Sequence, residues 1–291
     1  MFGWNEIALH LACWGVAFLA ATGIYSLAQR WCARPLLATL VAIFMPVFLV
    51  SSSTLICDVA TLAFWVWALV LWERALVNGQ SRWLLVAAGG LAGLAVLTKY
   101  SAVTLLPLLP ILGVLRTRKL GWWLAALGVP LLMVAGYEWL TAWRYGTGLF
   151  SAAVGHTQNS RGFPSSWEGR GIIGLAFVGG CLLPLLFFAP WLWRPRTLLA
   201  GGFVILGVLS GIFWLGGDLG LLYENFGQMK HWAFATQVLL LTLGGVHLLL
   251  LTAAEVWPRR NLISVTLALW ILGGLFSAIV LNLTINARDF Y

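Results

Sequence analysis

Ten stretches of about twenty mostly apolar residues follow one another along the 291-residue chain, at roughly 7–28, 35–54, 58–77, 82–98, 101–115, 120–141, 171–190, 197–216, 232–253 and 262–284. A bilayer core of about 30 Å needs about 20 apolar residues in helical form, so each stretch is a candidate membrane span. The fifth is the shortest and contains Pro107 and Pro110, which leaves its ends least defined. The runs are too long for barrel strands and lack a two-residue alternation, so helices are expected. Only 9% of residues are charged and 61% are hydrophobic. A soluble chain of this size cannot hide that much apolar surface, which excludes soluble enzymes and nucleic-acid-binding domains. The fold class expected is therefore an all-α polytopic membrane helix bundle of about ten transmembrane helices. It has no fixed-period repeat and no soluble domain, so residues 1–291 read as one membrane domain.

The net charge of +8 sorts by connection. Alternate turns hold Arg30, Arg34, Arg74, Arg82, Arg116, Arg118, Lys119, Arg194, Arg196, Arg259 and Arg260 with only Glu73 and Glu255, a net of +9. The opposite connections hold Lys99, Arg144, Arg161, Arg170, Lys230 and Arg288 with the other seven acids, a net of −1. Positive charge collects on cytoplasmic loops, so the first set is expected inside and the second outside. Both termini then lie outside, and the longer connections, about 142–170 and 217–231, are external. The chain also enters its first span without a cationic leader, as if a helix preceded it, and its end likewise reads as cut from something longer. Cys13, Cys32, Cys57 and Cys181 show no CxxC or CxxH spacing and read as small apolar helix residues.

Several polar residues sit at the external ends of spans. Asp58, at the mouth of the third span, suits an N-cap or first-turn position as well as a base, a metal ligand or an acceptor for a sugar hydroxyl. Lys99, at the end of the fourth, breaks the charge rule. Beside the snorkelling alternative, an ammonium at this depth suits a phosphate or pyrophosphate headgroup. Glu138 and Arg144 end the sixth span beside an aromatic belt. His156 lies in the first long connection and reads as a solvated loop residue. Asp218, Glu224 and His231 can join Asp58 in a divalent-cation site, although no tight motif marks one. His247, inside the ninth span, reads as a packed helix residue, and Gly89 and Gly93 form a GxxxG packing motif.

The order of Phe2-Gly3-Trp4-Asn5-Glu6, Tyr25-Ser26-Leu27-Ala28-Gln29-Arg30, the Ser52–Val59 acid segment, Leu97-Thr98-Lys99-Tyr100, Tyr145-Gly146, Gly179-Gly180-Cys181 and Asn286-Ala287-Arg288 resembles the GT-C-fold glycosyltransferases. The nearest group is the dolichyl-phosphate-mannose protein mannosyltransferase-like, or aminoarabinose-transferase-like, family of the bacterial inner membrane. The resemblance implies an active site facing the periplasm or exterior. It implies transfer of a sugar from a polyprenyl-phosphate donor to a lipid, protein or glycan acceptor, with a divalent metal as the only cofactor in question and no nucleic-acid partner. Asp58 is then the acidic residue at the third-span mouth and the candidate catalytic residue, and Lys99 and Arg288 contact the donor phosphate, with Glu138 and His231 as further substrate-binding residues. Relatives carry an earlier helix and an external loop with an acidic pair, one of which is the expected base. They also have Arg where this chain has His10. These departures leave room for a chain inactive as it stands. A transporter or flippase of an anionic lipid or small solute, and a non-catalytic membrane subunit, are the competing classes. An alternating-access carrier should show repeated halves and mid-span charges, and neither is present.

Overall fold

The computed structural model describes residues 6–54, 56–79, 81–159, 167–214, 231–259, 261–276 and 279. Among these residues every regular element is helical. They are α1 (Glu6–Trp31), α2 (Pro35–Ile43), α3 (Pro46–Ser53), α4 (Asp58–Val77), α5 (Arg82–Thr98), a 3₁₀ stretch Tyr100–Leu105 leading into α6 (Leu108–Thr117), α7 (Trp123–Ala126), α8 (Gly128–Tyr145) and α9 (Leu149–Asn159). The chain continues with α10 (Trp167–Cys181), a 3₁₀ stretch Leu183–Phe188, α11 (Ala189–Leu192), α12 (Pro195–Trp214), α13 (His231–Arg259) and α14 (Leu262–Phe276). Among the described residues five segments are long and apolar enough to cross a membrane. Two more become so if bent pairs count as one span, and three shorter apolar helices complete a match to the ten stretches of the sequence.

Prolines account for the bends. The expected span 35–54 is broken by 61° before Pro46, which starts α3, because a proline ring cannot follow on an uninterrupted helix. The expected span 171–190 turns by 75° at Leu182, just before Pro184 in the 3₁₀ stretch. The connection expected over 142–170 is largely helical. Helix α8 runs on to Tyr145 and closes on Gly146 in the left-handed conformation (φ 78°), a usual helix stop, and α9 follows after two residues.

The chain divides into two compact units, Met1–His156 with Arg259–Gly274, and Thr157–Pro258 with Leu275–Tyr291. In the first, α4 is the central helix. Its best apolar window is 61% buried against 11% for α1, in keeping with a sequence that is apolar on every side. Trp65 and Trp72 are fully buried and meet Trp270 and Trp123 edge-on, each at 6.4 Å between ring centroids. Helices α1 and α4 run parallel. Gly23 leaves room for Trp67, whose indole N–H donates to the Leu19 carbonyl, and one end of the contact carries the Arg30–Glu73 pair. Helices α5 and α8 are also parallel, with Gly89 against α7–α8 and Gly93 against Met133, so the GxxxG motif packs as expected. Asp58 meets Lys99, so α4 and α5 are antiparallel. These directions are those of successive spans that cross in alternation.

Glu73 is 4% exposed and its Oε2 accepts no hydrogen bond, so the Arg30 guanidinium at 3.9 Å is its compensation. Arg30→Gln strands that carboxylate and is expected to destabilise the fold by about 1–3 kcal/mol, the cost of an uncompensated buried polar group. The double variant R30Q/E73Q should recover most of the loss. Reversible unfolding in mixed micelles measures both.

In the second unit α10 and α13 cross at Gly179, Gly244 and Gly245. A Cβ on Gly244 would lie 2.7 Å from the Gly179 carbonyl, a closeness that only glycine permits. His247 is packed as expected, 7% exposed, and its Nδ1 accepts a hydrogen bond of 3.3 Å from the Trp193 indole.

Candidate functional site

The two ionisable residues singled out at the mouths of the third and fourth spans come together. Asp58 is the first residue of α4, after Cys57, so it does not cap the helix. Lys99 is the residue that closes α5; its extended backbone (φ −145°, ψ 114°) ends the helix, and its N–H still donates to Ala95. A carboxylate at a helix N-terminus and an ammonium at a helix C-terminus are each favoured by the peptide dipoles. Because α4 and α5 form an antiparallel pair, those two favoured ends coincide. Lys99 Nζ donates to Asp58 Oδ1 at 2.5 Å across 41 residues of sequence. The side chains remain 43% and 41% exposed, so the pair is open to solvent and to a ligand. An exposed ion pair contributes at most about 1 kcal/mol, little enough for an incoming anion to displace. The nearby hydroxyls are occupied locally. Ser52, Ser53 and Thr54 all donate to carbonyls one turn back in α3.

The next layer is aromatic. Tyr100, directly after Lys99, shares a hydrogen bond of 3.1 Å with the Tyr137 hydroxyl of α8. Its ring also meets Phe150 of α9 edge-on at 5.3 Å. Tyr137 adjoins Glu138, whose carboxylate accepts the backbone N–H groups of Phe150 (3.0 Å) and Ser151 (3.3 Å). Glu138 therefore serves as a remote cap for α9, where free N–H groups and the helix dipole favour negative charge. Leu149 N–H is taken by the Thr141 hydroxyl at 3.1 Å. Sequence reasoning placed Glu138 at this end but missed the helix it caps. Gly146, a typical helix stop, followed by the apolar pair Leu149-Phe150 was the available signal.

Gly148 belongs to the same lock, because a Cβ there would run into the Glu138 carboxylate. Glu138→Gln and Gly148→Ala should each loosen α9. In hydrogen–deuterium exchange, amides of residues 149–159 should lose about tenfold in protection, the equivalent of about 1.4 kcal/mol, while those of α4 are unchanged. Equal exchange in wild type and both variants would refute the cap.

Of the other expected site residues, Arg288, Asp218 and Glu224 lie outside the described residues. His231 opens α13, but its side chain, like that of His156, is outside them too. Among the described residues no three His, Cys, Asp or Glu side chains come together to hold a metal ion. The neighbour of Asp58 is an ammonium, which repels a divalent cation.

Fold and site together define an all-α polytopic membrane protein with an accessible acid–lysine pair where two of its helices end. Residues 1–139 are similar to the family model described as dolichyl-phosphate-mannose-protein mannosyltransferase. The matched segment takes in Asp58, Lys99, Tyr100, Tyr137 and Glu138. No curated protein and no solved structure matches the chain.

Proposed function

We propose that this chain transfers a sugar from a polyprenyl-phosphate donor to an acceptor on the external face of a bacterial inner membrane, with Asp58 and Lys99 as its reacting groups. The observation that carries this reading is the ion pair itself. A carboxylate and an ammonium from separate helices converge where an amphiphilic donor would present its phosphate, and both stay accessible. In the resting site Lys99 is paired with Asp58. A donor phosphodiester, whose two non-bridging oxygens share its negative charge, competes for the ammonium and releases the carboxylate. Asp58 then takes the proton of an acceptor hydroxyl or amine as its O or N attacks the anomeric carbon. The C–O bond to the phosphate breaks, and Lys99 stabilises the departing polyprenyl phosphate. Arg288 and His231 are proposed as further donor contacts. Attack opposite the leaving phosphate inverts the anomeric centre. The hexose or pentose and its acceptor follow from which donor supports turnover.

The test is a transfer assay on the full chain in proteoliposomes, using polyprenyl-phosphate sugars as donors, with wild type, Asp58→Asn and Lys99→Ala compared. Turnover equal in all three would overturn the assignment. Donor movement across the bilayer without transfer would favour the flippase class.

A further inference from the structure

The turn between α6 and α7 holds a second, independent arrangement. From Arg74 to Tyr137 the chain contains six cations and no acid. Four of them, Arg82, Arg116, Arg118 and Lys119, are exposed where α5 begins and α6 ends. The turn is held rigidly. The Lys119 carbonyl accepts from the Thr117 hydroxyl (2.7 Å) and the Trp123 indole (3.4 Å), and the Lys119 N–H donates to the Thr117 hydroxyl (3.3 Å). Trp123 is itself fully buried against Trp72 and fits tightly over Gly113. Arg118 adopts the left-handed conformation (φ 55°) usually left to glycine or asparagine at a helix end. The Arg82 guanidinium lies over the Trp122 ring at 5.0 Å. Around these cations Trp83, Leu120 and Trp122 are 84%, 74% and 67% exposed. The closest acid in sequence, Glu73, is buried and paired with Arg30.

We infer that this turn is a docking site for anionic phospholipid headgroups. Charge alone orients a membrane protein and requires neither a fixed turn nor exposed aromatic rings. Here the cations sit on a preorganised turn at the ends of apolar helices, flanked by Trp and Leu side chains. Such rings suit the membrane–water boundary, and guanidinium forks suit phosphate. Nucleic acid and acidic peptides share the charge, but neither offers an apolar layer for Trp83, Leu120 and Trp122.

Native mass spectrometry of the purified full chain, titrated with phosphatidylglycerol and with phosphatidylcholine of identical acyl chains, tests the site. Each cation near an anionic surface is worth about fivefold in binding. Wild type should prefer phosphatidylglycerol by about tenfold or more. R116Q/R118Q/K119Q should reduce the preference to about twofold or less, whereas R34Q/R194Q/R196Q, which removes the same charge elsewhere, should keep it. If the triple variant fails to fold, R118Q and K119Q singly should each cost about fivefold. Soluble glycerol phosphate should not displace the lipid. No preference in wild type, equal loss in both triple variants, unchanged single variants, or displacement by glycerol phosphate would each overturn the proposal.

Discussion

Lys99→Ala is expected to lower donor-dependent transfer by about a hundred- to a thousandfold, the loss typical when a group stabilising departing negative charge is removed. Asp58→Asn should cost about a hundredfold or more, because the amide cannot accept the acceptor proton. The double variant should fall little below the worse single one, since the two residues act on the same transition state. A purely structural salt bridge predicts otherwise, and the exchanged pair D58K/K99D separates the two. It restores opposite charges across α4 and α5, but with each charge at the unfavourable end of its helix dipole. Its fold should survive, because an exposed pair carries little stability, while transfer should remain at the level of the single variants. Transfer by D58K/K99D at the wild-type rate would leave Asp58 and Lys99 as a tether and nothing more.

Much of this arrangement was legible in the sequence because it follows from counting. Apolar runs of span length gave the all-helical bundle, and alternating cations placed Asp58 and Lys99 at the same ends of neighbouring spans. Long-range pairing was not legible. Nothing local in the chain says that Arg30 reaches Glu73, that Trp193 reaches His247, or that Tyr100 and Tyr137 share a hydrogen bond. These contacts depend on helix rotation and depth, which a twenty-residue apolar run leaves open. The bends were hidden for a related reason. Pro46 and Pro184 sit inside apolar runs, where hydropathy continues although the helix does not. Helix α9 was missed because its Leu149–Asn159 sequence turns polar at Gly155-His156-Thr157 and so reads as a loop, while its N-terminal stability comes from Glu138 one element earlier.

Gly89→Leu is expected to abolish stable folding of the first unit, the largest structural effect of any single change proposed for the chain. A Cβ at Gly89 would lie 2.8 Å from the Ala126 carbonyl oxygen, 3.0 Å from Val129 Cβ and 3.2 Å from Pro130 Cδ. Two of these obstacles are backbone or ring atoms fixed at the α7–α8 junction, so the helices must part. In a bilayer the apolar side chains gain no hydrophobic benefit from meeting each other instead of lipid, so close van der Waals contact at small residues holds such helices together. Overpacking one position costs about 1–3 kcal/mol where neighbours can yield, and here they cannot. Gly93 differs, because its nearest obstacle is the Met133 thioether sulfur at 2.6 Å, the flexible part of a side chain, so Gly93→Ala should be tolerated with a modest loss. Gly90 faces open space and serves as the control. The yield of monodisperse protein in mild detergent should therefore rank G90L near wild type, G93A below it and G89L close to zero. Equal yields for G89L and G90L would mean that α5 does not press on α7–α8. The same contact sets the register that brings Tyr100 of the α5 end to Tyr137, so the milder Gly89→Ala should disturb the Lys99 end of the molecule before it unfolds the bundle.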